Sequence, residues 1–178
     1  MEERSPDPVQ EPKAYQRLLL SLVADDDPVE VQAATPAALR RLVEDAGDDL
    51  WIRPEPAEWS VLSGIAHIAD AELVMAGRYR FVLAHDEPAL IGYDQDLWVE
   101  RLHGENDAPE PLLALFDALR SANLELWRRT PDESRARIGI HGERGPESYD
   151  LAFRMLAGHD RFHIGQAERA LAQVRAGL

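Results

Sequence analysis

Residues 60–85, SVLSGIAHIADAELVMAGRYRFVLAH, run without a proline from a serine suited to cap a helix to the stop signal Asp86–Pro88. The run reads as one long helix. The last segment, from about Ser148 to Ala176, reads as another. In PEPLLALFDALRSANLELWRRT, residues 109–130, the apolar residues Leu112, Phe116, Leu119 and Leu126 recur at helical spacing. A fourth helix is expected in TPAALRRLVEDAG, residues 35–47. There Thr35 is the N-cap, Pro36 takes the first helical position and Gly47 falls near the end. A shorter one, AYQRLLLSLVA at 14–24, precedes it and is ended by DDDP. Residues 53–59 form a proline-broken loop, and 88–108 are mixed. Residues 133–148 are rich in glycine and charge. Their one apolar alternation, Ile138 and Ile140, fits a small hairpin or an irregular loop. The fold expected is all-α: a four-helix bundle with an extra N-terminal helix and a small loop or hairpin before the last helix.

The 178 residues suit one domain, expected at 13–178, after a flexible acidic tail at 1–12. That tail has no basic stretch followed by an apolar one, so no signal peptide is expected. The longest strongly apolar run, LLLSLVA at 18–24, is far too short to span a bilayer. The expectation is a cytoplasmic protein without a membrane partner. There is no cysteine, which excludes disulfides, thiolate metal sites and a cysteine nucleophile. A transition-metal site would need histidine with aspartate or glutamate. The formal charge of −14 would repel a phosphate backbone, so no nucleic-acid partner is expected. Asp25–Asp27 reads as a solvated turn before Pro28.

The remaining chemistry is in the histidines. AGHDRFHIGQAERAL, residues 157–171, carries His159 and His163, which fall about 40° apart on a helical wheel, one turn above the other. Ala152, Met155, Leu156, Gln166 and Ala170 share their face, while Arg154, Arg161 and Glu168 point away. Two stacked histidines on a buried face each need partners for their ring nitrogens. A divalent metal would satisfy one nitrogen of each, but a catalytic site typically has three protein ligands and an open position. His67, on the inward face of the 60–85 helix with Gly64, Ala71, Val74, Phe81 and Val82, is the third candidate. Taken alone, H-x-x-x-H occurs by chance; a third inward histidine on another helix strengthens it. Competing patterns fail. H-E-x-x-H, G-x-S-x-G and a phosphate loop are absent, and Glu100-x-x-His103 is the only Glu-x-x-His. His85, His103 and His141 read as solvated side chains at ends or in loops.

Three segments resemble the DinB-like superfamily of metal-binding four-helix bundles. EWSVLSGIAHIADAE resembles the family's W-S-v…H-l-a-D-x-E stretch. GRYRFVLAHDEPALIGYDQDLW resembles the R-y-r…P…D…W segment of one branch, and AGHDRFHIGQ the closing H-D-x-x-H-x-x-Q helix. One departure is visible: many relatives carry a histidine pair before I/L-x-Q, and here the first of the pair is Phe162. The resemblance implies a divalent metal, zinc or nickel, held by His67, His159 and His163. It also implies a small-molecule substrate. The branch with this middle segment is commonly labelled metal-dependent hydrolase, and better-understood relatives use a low-molecular-weight thiol cosubstrate, mycothiol or bacillithiol, for S-transfer. Relatives are often dimers, and the apolar content here permits a homodimer.

The nucleophile expected is a metal-bound water or thiol, with no protein group assigned to that role. Asp70 and Gln166, each about one turn from a ligand, are candidates to orient the rings. Alternatively Gln166 is a packing amide and Asp70 pairs with a surface arginine. Asp160 reads as structural, and Asn123 needs a partner within the third helix's apolar stripe. Arg78 either anchors a substrate carboxylate or makes an ordinary salt bridge. Trp59, Tyr93 and Trp98 either wall the pocket mouth or pack. Three functions compete: an enzyme, a thiol S-transferase or hydrolase; a non-catalytic metal-binding stress-response bundle that binds a small ligand; and a bundle whose histidines are hydrogen-bonded core.

Overall fold

The computed structural model describes residues 5–104 and 106–177. Helix α1 spans Pro12–Val23, α2 Pro28–Ala46 and α3 Val61–Ala84. The short strand β1, Ala89–Leu90, and α4, Gln95–Leu102, come next. After α5, Pro109–Arg129, and a single turn α6, Asp132–Arg135, strands β2, Ile138–His141, and β3, Gly145–Ser148, lead into α7, Tyr149–Gly177. Helices α2, α5, α3 and α7 form the bundle in that order around its axis, and α1 packs along the outside of α7. Strand β2 pairs antiparallel with β3 as a hairpin, and β1 adds parallel to β2 to make a three-stranded sheet. Among the described residues no helix is long and apolar enough to cross a membrane.

The local signals explain most boundaries. The Ser60 hydroxyl accepts from the Ser63 amide at 3.1 Å and starts α3, as expected. The start of α2 is a correction. Thr35 is not an N-cap, and Pro36 lies inside the helix. Asp27 caps instead, accepting from the Val29 amide at 2.8 Å, with Pro28 at the first helical position. The same cap-then-proline pattern occurs twice in this stretch, and the upstream copy starts the helix. A further helix, α4, forms in the stretch read as mixed, capped by Asp94 at the Leu97 amide. The described part of the expected tail makes a turn around Asp7, whose carboxylate accepts from the Val9 and Gln10 amides; residues 1–4 lie outside the described residues.

The core is layered. One apolar half-core joins Leu39, Ile65, Ile68, Phe116 and Leu171; the other is aromatic, with Trp127 stacked on Phe153 at 3.9 Å and Tyr79 edge-on to Tyr149. Between them lies a polar layer to which every bundle helix contributes charged or polar groups. Arg120 of α5, 1% exposed, donates to Glu72 of α3 at 2.7 Å and to Asp160 of α7 at 2.6 Å. Thr35 of α2 donates to Asp160 at 2.7 Å. Asn123 donates to Glu72 at 2.8 Å and accepts from Arg80. Asp160 is therefore structural, and Asn123 has its buried partner.

Candidate metal centre

Helix α3 carries His67 and α7 carries His159 and His163, at the level of this polar layer. One donor nitrogen from each ring lies within 4.8 Å of the other two. His67 Nε2 and His159 Nε2 are 2.9 Å apart. One turn along α7, Gln166 Oε1 accepts from His163 Nδ1 at 2.9 Å. That bond places the proton on Nδ1 and leaves His163 Nε2 as a bare lone pair. This Nε2 is buried and has no partner among the described residues, as is true of Nδ1 in His67 and in His159. Each such orphan costs about 1–3 kcal/mol. Three imidazoles converging with a free lone pair between them are a donor set that fits a divalent transition metal.

The electrostatics agree. Burial, then the neighbouring His163 and His103 rings, push His67 well below the ordinary histidine value. Burial, then His163, His67 and the Arg120 and Arg144 guanidiniums, do the same to His159. Burial lowers His163 to about 4, against the opposing pull of the Gln166 hydrogen bond. All three rings are neutral near pH 7, the state a metal ligand requires.

Trp59 stacks on the His163 ring at 5.8 Å and lies 5.0 Å from His67, so it walls the triad itself. Tyr93 lies 6.2 Å from His67, and Trp98 packs on Tyr93 at 4.6 Å. A cavity of about 420 Å³ opens from His67 and His159 and is lined further out by Arg78, Tyr93 and His141. His163 sits behind the other two. Phe162 turns towards α1, edge-on to Tyr15 at 6.0 Å, and also packs edge-on to His163 at 4.9 Å.

Several expectations change. Asp70 does not reach a triad ring: its carboxylate is 2.8 Å from His103 Nε2. His103, read as solvated, is thereby fixed at the end of α4 with its side chain 14% exposed. His141, read the same way, is 2% exposed, because β2 carries it inward against the cavity. Phe81, placed on the inner face of α3, is 54% exposed. Arg78 makes no salt bridge among the described residues; it donates to the Ile91 carbonyl and contacts Met75 Sδ. Arg120 and Glu72 went unread. Their signal was available: Phe116, Arg120, Asn123 and Trp127 form one helical stripe, and a charge within an apolar stripe needs a buried partner.

The family model described as the DinB superfamily matches residues 33–167, a span that contains all three histidines. The chain is 26% identical over 142 residues to the Bacillus subtilis protein named "Putative metal-dependent hydrolase YfiT", covering 76% of this chain and 78% of that one. It is 24% identical over 115 residues to "Putative metal-dependent hydrolase OB0413" of Oceanobacillus iheyensis, covering 64% of this chain and 65%, less than two thirds, of that one. The fold superimposes on the solved YfiT structure, described as a probable metal-dependent hydrolase with an unusual four-helix bundle topology. The TM-score is 0.72 at 21% identity, over 96% of this chain and 91% of YfiT. With most of its length matched by the family model and its bundle by that structure, the chain belongs to the DinB superfamily.

Proposed function

We propose that the protein is a metal-dependent enzyme acting on a small molecule, with a nucleophile supplied from outside the chain: water in a hydrolase, or a low-molecular-weight thiol in an S-transferase. One observation carries this reading. Two rings of the triad, His67 and His159, line one cavity, and among the described residues no serine, threonine, cysteine or lysine lines it. The lining therefore offers no serine or threonine hydroxyl, thiol or lysine amine as a nucleophile. His67, His159 and His163 would hold zinc or nickel, both suited to imidazole nitrogen. When bound, the metal supplies a Lewis acid that activates water or thiol near neutral pH. The chain's own groups do the rest. Gln166 holds His163 in the tautomer that presents Nε2, Trp59 covers the rings from outside, and the flanking apolar half-cores keep water from their rear. The names of YfiT and OB0413 support the hydrolase form.

The test is elemental analysis of untagged protein followed by turnover. Stoichiometric zinc or nickel, lost in His159→Ala, is expected. Metal-dependent conversion of an ester or amide, or of an electrophile offered with a low-molecular-weight thiol, is expected to follow. Absence of metal after incubation with either ion refutes the site. A loaded protein inactive across the panel refutes the enzyme and leaves a metal-dependent binding protein.

A further inference from the structure

The cavity has a second end. Arg78 lies three helical turns beyond His67 on the same face of α3, about 16 Å along the axis. Its guanidinium is only partly hydrogen-bonded. One nitrogen donates to the Ile91 carbonyl, another meets the weak acceptor Met75 Sδ at 3.7 Å, and buried Nε has no partner among the described residues. No carboxylate among them lies within ion-pair distance of this charge.

Four of the five acids lining the cavity have other work, Asp96 among them as a partner of the Trp59 side chain. Glu147, 2% exposed, is held by both forks of Arg144. Asp94 caps α4, and Asp7 holds the N-terminal turn. Glu143 is more exposed, beside His141. The Glu143 amide donates to His141 Nδ1 at 3.2 Å, so the ring proton of neutral His141 sits on Nε2. His141 thus brings a second donor to the wall where Arg78 stands. A partly buried guanidinium with a free N–H and no directly ion-paired carboxylate, next to an imidazole donor, is a receptor for a carboxylate.

We propose that the cavity takes an extended small molecule with a carboxylate at one end, bound by Arg78 with His141, and its reacting group at the histidine triad. The carboxylate end is read from Arg78 and His141 alone; the reacting end rests on the metal reading above. The long Arg78 side chain lies back over the preceding turn, against Met75, so the ligand spans less than the axial distance.

The probes are two hydroxamates, whose metal-chelating heads are identical: suberic acid monohydroxamate, ending in a carboxylate, and octanohydroxamate, ending in a methyl. Binding to zinc- or nickel-loaded protein is measured by calorimetry, with metal content and melting temperature recorded for each variant. The carboxylate form is expected to bind about tenfold to a hundredfold more tightly. Arg78→Gln should erase that preference with metal content unchanged, and Arg78→Lys should keep part of it. Equal binding of both probes by the wild type, or a preference that survives Arg78→Gln, overturns the proposal. A failure of the metal reading looks different. Neither hydroxamate then binds through its head, while plain octanoate still binds in an Arg78-dependent way, which supports the carboxylate end by itself.

Discussion

Gly158 allows α1 to lie on α7, and replacing it with alanine measures that contact. A Cβ built there would stand 2.0 Å from the Leu19 carbonyl oxygen, 2.6 Å from its carbon and 3.0 Å from its Cα. All three are backbone atoms of α1, so no side-chain rotation relieves the overlap. Ordinary contact begins near 3.4 Å, so α1 must retreat by roughly 1.4 Å. Retreat loosens Tyr15, Leu19 and Val23, which α1 buries against α7. Overpacking of this kind costs about 3 kcal/mol, and exchanging glycine for alanine within a helix returns about 1 kcal/mol. The net expectation is a loss of about 2 kcal/mol, a fall in Tm of roughly 4–8 °C at this chain length. Gly77 of α3 is the control. A Cβ there meets nothing within 4 Å, so Gly77→Ala should stabilise by about 0.5–1 kcal/mol. Calorimetric melts of the two variants, with hydrogen exchange across 12–23, read the effect directly. A Gly158→Ala protein that melts at or above wild type, with α1 equally protected, refutes the packing argument.

Arg120→Met would leave the Glu72 and Asp160 carboxylates buried without their cation; a loss of about 3–5 kcal/mol is expected in urea denaturation. Gln166→Leu removes the acceptor that holds His163 Nδ1 and should weaken metal binding about tenfold to a hundredfold in a chelator competition, with little change in melting of the metal-free protein. The metal-free protein should also lose stability in mild acid. His163 is lowered from 6.5 to about 4 on folding, so the unfolded chain binds the proton first. That contribution is intact above pH 6.5 and falls away as the pH drops towards 4, on the order of 3 kcal/mol over the full swing. Urea midpoints at a series of pH values check the sign; a midpoint that rises on acidification would contradict it.

The helices were legible wherever one strong signal acted alone. Ser60 had no rival cap, so α3 starts where its sequence says. At α2 two cap-and-proline pairs stand in tandem, and sequence cannot rank them; packing ranks them, because an earlier start brings Gln32 and Thr35 into the core as partners of α7. The three histidines were legible as inward-facing because helical periodicity is a local property. Their convergence was not, since it depends on which helices are neighbours. His141 and His103 were misread for the same reason. Nothing local to β2 or to the end of α4 tells that a sheet will turn one ring into the cavity or that Asp70 will meet the other.

His159 and Asp160 adjoin in sequence and point about 100° apart around α7. One faces the triad, the other Arg120. The rotation of α7 about its own axis therefore sets both at once. Arg120 and Thr35 fix Asp160 from α5 and α2, and through the rigid helix they fix the direction in which His159 and His163 leave it. Glu72 does the equivalent on α3, five residues beyond His67 and bound to the same guanidinium. The polar layer thus costs desolvation that an apolar core would avoid, but it positions both helices that carry the triad. An apolar layer would hold α3 and α7 together without selecting their rotation, and the three lone pairs would have no reason to meet.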